Sequence, residues 1–293
     1  MKSLGLIQLR TIILALACVL ALSACSAIKL GYNALPSLSY WWLDGYVDFS
    51  DEQAPLVRDE IARLHAWHRQ QELPRALELL ERLEQITPVD ISPEQACTVV
   101  TDVQGRLRAL AENAEPGVAA IAASLTGREL RHVARRFRRT NERFQQDWVA
   151  LPRPDLVAKR FDQALERLEA IYGRLDDPQR AVLRQRLEQS AFDPARTLEE
   201  RQRRQQELLQ ILRRLSHPGV PEAEARALLR GWVAGMLKAP DPAYRAYQET
   251  LLQEGCTTFS LVHRSTTPAQ REQAVRRLRA YQRDLRDLMA QRQ

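Results

Sequence analysis

The sequence predicts an all-α protein, a bundle or array of about ten helices, and three observations carry that prediction. Apolar residues recur at steps of three, four and seven, the spacing of one helix face, as at Leu130, Val133, Phe137, Phe144 and Trp148. Alternation of period two is not sustained anywhere, so no sheet is expected. Short helix-start phrases recur, each a Ser, Thr or Asp followed three residues later by Gln or Glu. Glycine is also sparse, 11 in 293 residues, which leaves few of the turns that a β architecture needs.

The start phrases place the elements in order. Ser50 with Gln53, Ser92 with Gln95, Asp176 with Gln179 and Thr267 with Gln270 read as capping boxes, and Thr126 with Glu129 and Thr197 with Glu200 use Glu in the same role. Pro93, Pro178 and Pro268 fall in the first turn, where a missing N–H costs nothing. The expected helices are 51–86 with a bend at Pro74, 93–113, 116–124, 127–150, 154–173, 177–191, 198–216, 221–238, 242–264 and 268–290. Short links favour antiparallel neighbours.

Ahead of these lies a different signal. Lys2 and Arg10 precede an uninterrupted apolar run from Thr11 to Leu22, too short to cross a bilayer but the right length for a cleaved export signal. Its exit, Leu22-Ser23-Ala24-Cys25, resembles the bacterial lipobox. That resemblance implies a thioether-linked diacylglycerol on Cys25, cleavage before it, and acylation of the new amino terminus by a chain such as palmitate. Multiple chains hold a protein stably where one does not. Ser26 lacks the acidic character that retains lipoproteins in the inner membrane of enteric bacteria. The expected organisation is a signal peptide at 1–24, a lipidated cysteine and aromatic strap at 25–50, and a helical periplasmic domain at 51–293, anchored in the outer membrane.

Losing residues 1–24, which hold two basic and no acidic residues, lowers the formal net charge from +6 to about +4. The basic residues are scattered and matched by acids, so no nucleic-acid partner is expected. The run from Arg131 to Arg143 is the strongest local positive charge; it reads as a solvated helix face with an attraction to anionic headgroups. Tyr32, Tyr40, Trp41, Trp42, Tyr46 and Phe49 crowd the stretch just after Cys25. They read as the base of the helical core, as an interfacial belt, or as an anchor patch for an envelope partner. Pro36 and Gly45 mark this stretch as an irregular strap.

The phrases LGYNALPSLSYWWLDGYVDF, WHRQQELP from Trp67 and HRSTTPAQR from His263 resemble a family of proteobacterial lipoproteins classed as a domain of unknown function. The resemblance spans essentially the whole mature length and implies a class and an address without an activity. Thr267 to Arg271 is also similar to the Leu-Thr-x-x-Gln motif of Spy-type periplasmic stress chaperones, although helix capping alone accounts for Thr267 and Gln270.

Candidate chemistry is thin. His65 and His68 share a helix face with Glu60 and Glu72 nearby, but zinc needs a third strong ligand and those carboxylates suit Arg63 and Arg69, so no metal is expected. Asp44, Asp48 and Asp51 lack calcium-loop spacing and read as turn and cap residues. No phosphate-binding glycine loop or nucleophile elbow occurs, so no cofactor and no catalytic residue is expected. Cys97 and Cys256 form a candidate disulfide, with two separately buried thiols as the alternative. The expected role is a non-catalytic binding or envelope-structural module, with a stress chaperone and a cell-envelope hydrolase as alternatives.

Overall fold

The computed structural model describes residues 28–291, and those residues form helices and short links with no strand among them. Cys25 and the leader lie outside the described residues. The first helix, α1, covers residues 28–47. There follow α2 (Ala54–Trp67), α3 (Leu73–Ile86), α4 (Pro93–Ser124), α5 (Gly127–Phe144), α6 (Arg153–Tyr172), α7 (Asp177–Glu188), α8 (Pro194–Leu215), α9 (Glu222–Leu237), α10 (Pro242–Ser265) and α11 (Pro268–Ala290).

Local chemistry sets most of these ends. Both halves of the capping box form at Ser92, Thr126, Asp176 and Thr267. At Ser50 only the return half forms, the Gln53 side chain accepting from the Ser50 amide, because the chain turns once before α2 begins. The box expected at Thr197 does not form. Asp193 caps α8 instead, its carboxylate accepting from the Ala195 and Arg196 amides with Pro194 beside it, and the Thr197 hydroxyl turns back to the Asp193 carbonyl. Glu200, freed from capping, is buried against Arg203 and Arg204.

Prolines break the helices less than expected. Helices 93–113 and 116–124 are one helix, α4, that runs through Pro116. Around Pro74 the helix widens into a π turn, His68–Glu72, whose longer bonds accommodate the missing amide; α2 and α3 continue through it. The strap expected at 25–50 is also wrong in form, since residues 28–47 are helical across Pro36. Proline at 36 leaves the carbonyl of residue 32 without its usual donor. The His65 Nε2–H supplies one, 3.1 Å from the Tyr32 carbonyl oxygen. A tertiary contact thereby substitutes for the lost helical bond.

Four apolar clusters hold the array together. α4, α8 and α9 meet through Ala122, Ile211, Leu215 and Leu229. Phe161, Leu175, Leu183 and Val262 join α6, α7 and α10. Ile91, Ala96 and Cys256 join α4 to α10. Tyr32, Leu73 and Leu288 seat α1 on the α2–α3 junction and on α11, which lies along α3. Where α2 crosses α4, the Glu60 side chain occupies the space beside Gly117 that a Cβ would take.

Candidate functional site

α1 has two contrasting faces. Its inner face is bonded along its length to the body. Lys29 pairs with Asp287 at 2.7 Å, and Asn33 donates to Gln291 and accepts from Arg69 at 2.6 Å. Tyr40 packs on Phe49 under the Arg58 guanidinium, 4.2 Å away, and Tyr46 meets Phe137 and Arg136 of α5. The helix ends at Asp48, whose positive φ of 63° closes a turn back to the Asp44 carbonyl, while the Asp44 carboxylate accepts from the Phe49 amide. Asp44 and Asp48 are thus turn residues, and Asp48 also accepts from Arg128 at 2.9 Å.

The outer face is apolar and uncovered. Leu30, Leu35, Leu38, Trp41 and Trp42 are 42–68% exposed for the leucines and Trp42, and 74% for Trp41. Gly31 and Ala34 lie between them, Gly45 lies just beyond Trp42, and all three are exposed too. The spacing is that of one helix face. The six aromatic residues of this stretch therefore divide: Tyr32, Tyr40, Tyr46 and Phe49 face the body, and Trp41 and Trp42 face away, Trp42 touching Tyr46 with ring centroids 4.8 Å apart.

At the inner face the two histidines meet Tyr32. The Tyr32 hydroxyl lies 3.0 Å from His68 Nδ1, and His65 holds the Tyr32 carbonyl. Burial lowers the pKa of both imidazoles; the Tyr32 carbonyl opposes the shift at His65, and the Glu72 charge opposes it at His68. Burial raises the Tyr32 phenol against the pull of Arg69. Glu72 is buried and its ion-pair partner is Arg106 at 3.7 Å, not the expected Arg69; Glu60 does pair with Arg63, at 2.8 Å. No group of three His, Cys, Asp or Glu is placed to hold a metal among the described residues. The cluster works as a latch between α1 and the α2–α3 junction.

Beside the end of α1, one row of α5 presents Arg128, His132 and Arg136 to Asp48 and Tyr46. Arg139 and Arg143 extend that row outward, exposed and without an ion pair among the described residues. Val133, by contrast, is buried.

Further contacts lie on the other side of the array. The TPAQR phrase is a structural hub: the side-chain amides of Gln270 and Gln179 bond each other reciprocally, at 2.8 and 3.0 Å, so two capping boxes interlock. Beside it the buried His263 bridges the Tyr172 hydroxyl, at 2.8 Å, and the Val89 carbonyl, at 2.7 Å; burial pushes the Tyr172 phenol up to about 12. Arg271 reaches across to Asp90 at 2.5 Å. Cys97 and Cys256 are joined by a disulfide with Cα atoms 5.4 Å apart. A polar groove of about 590 Å³ lies between α3 and α4, crossed by the Arg82–Asp102 pair.

No curated protein and no solved structure matches the chain. A family model does match, over residues 45–230, from the end of α1 into α9. That is less than the full mature length expected from the three sequence phrases, of which only WHRQQELP lies wholly within the match. On that match the chain belongs to a family of unknown function (DUF6279).

Proposed function

We propose that the chain is an outer-membrane lipoprotein, acylated at Cys25, whose helical body serves in the periplasm as a non-catalytic binding or envelope-structural module. The observation that carries this reading is the position of α1. The described part of the helix begins at residue 28, three residues after the lipobox cysteine, and is bonded into the body from Lys29 onward. Acyl chains on Cys25 would hold the array within three residues of the leaflet, which suits a module that must stay close to the membrane or to an envelope partner. Mass analysis of the protein from its native host tests the reading: a mature chain beginning at an acylated Cys25 and fractionating with the outer membrane is expected. An intact leader, or an unmodified amino terminus, would overturn it.

Chaperone action is the second reading, favoured by the exposed leucines and tryptophans of α1. Suppression of client aggregation, lost on replacing Leu38 and Trp41 with polar residues, would support it.

A further inference from the structure

We infer that the outer face of α1 is a membrane-docking surface, which lies in the headgroup region of a phospholipid bilayer with Trp41 and Trp42 inserted. The inference rests on the lipoprotein reading for the proximity of a bilayer and goes beyond it in naming the surface that touches lipid.

The contiguity of the face is the first argument. Exposed apolar residues are ordinary when scattered, but an uninterrupted row along one helix marks a contact surface. From Leu30 to Trp42 the row is about 18 Å long at the rise of an α-helix. An amphipathic helix that lies in an interface usually keeps its polar side in water. Here the opposite side is held to the body, Lys29 by Asp287 and Asn33 by Gln291 and Arg69, so the apolar side faces outward, with Ser37 exposed at its edge. No helix among the described residues is long and apolar enough to cross a membrane.

The second argument is the identity of the occupant. The described part of α1 begins at residue 28, and Cys25 is three residues before it, at most about 10 Å along the chain. A lipid on that cysteine brings the bilayer to the start of the row. Tryptophan, whose ring is apolar and whose N–H is polar, favours the headgroup level. Charge agrees: the exposed Arg139 and Arg143, in the α5 row that contacts the end of α1, suit anionic headgroups, which attract basic side chains. The division of the aromatic stretch follows from this arrangement, with the tyrosines and Phe49 turned to the protein and the tryptophans to lipid.

Quenching by brominated lipid tests it. The mature protein purified from its host is reconstituted in vesicles of phosphatidylcholine and phosphatidylglycerol, with and without bromine on the acyl chains near the headgroup. Trp41 and Trp42 are two of five tryptophans. Brominated vesicles are expected to remove up to about two-fifths of the emission, the share of two rings in five if all emit alike. The W41F/W42F variant, altered at exposed positions and checked for unchanged helicity, is expected to lose that quenching. L38E, with both tryptophans retained, is expected to reduce it severalfold. A lipidated protein that floats with the vesicles but is not quenched, or quenching that persists in W41F/W42F, overturns the inference while leaving the anchor intact. Quenching of a protein without acyl chains would support the surface and remove the anchor. Concentration-dependent dimers that depend on Trp41 and Trp42, with no quenching by lipid, would assign the face to a second copy and overturn the inference.

Discussion

Reduction of the Cys97–Cys256 bridge should cost the fold more than any single side-chain change. The bridge joins the second turn of α4 to the middle of α10 and closes a sequence separation of 159 residues, more than half the chain. In the chain-entropy model a loop of that length removes about 5 kcal/mol of conformational freedom from the unfolded state at 25 °C. Whole domains are stable by only about 5–15 kcal/mol, so the bridge decides a large share of the margin. With a urea slope of about 3 kcal/mol/M, suited to a chain of this size, reduction should lower the midpoint by about 1.7 M. Circular dichroism at 222 nm, with and without reductant and with thiol labelling to verify opening, measures this directly. The cluster around Ile91, Ala96 and Phe259 still packs without the bond, so the reduced protein should keep its helices in water. A midpoint that moves by less than about 0.3 M with both thiols free would refute the reasoning, because it would mean the unfolded chain gains no freedom from opening the loop.

Further perturbations address the caps and the latch. Burial alone would raise the Glu129 carboxyl, but bonds from the Thr126 hydroxyl and amide and from Arg128 outweigh it and hold the pKa at about 2, below its usual 4.5. Its contribution is present above pH 4.5 and lost as the pH falls towards 2, so urea midpoints of Glu129→Gln should show a shallower acid decline than wild type; Thr126→Ala should cost about 1 kcal/mol at neutral pH. His65, His68 and His263 all have pKa values lowered by burial, so each favours the folded state above its unfolded value of 6.5 and loses that contribution as the pH falls through the folded value. Protection of the α1 amides, corrected for the pH dependence of intrinsic exchange, should therefore fall below pH 6.5, and His68→Gln should flatten that response without changing it above pH 7.

Nearly every helix was legible in the sequence, and the reason is physical: a capping box is built from atoms three residues apart, and a helix face repeats every few residues, so both are written locally. Four of the six predicted boxes formed in full, and Thr197 failed only because Asp193 and Pro194, four and three residues earlier, offered a better start. The leader and Cys25 are likewise a reading of local pattern, outside the described residues.

What the sequence alone could not decide were the outcomes set by partners distant along the chain. Pro36 and Pro116 looked like breaks; α1 persists through Pro36 because His65, 33 residues away from Tyr32, donates to the orphaned carbonyl. The side of each aromatic in α1 was equally hidden, since Tyr32 and Trp41 differ little as residue types until α11 and the α2–α3 junction cover one and leave the other bare. The same holds for Glu72, given to Arg106 of α4 and not to its helix neighbour. Short-range bonding determined where helices begin; packing between helices determined which of their residues remain free to meet anything else.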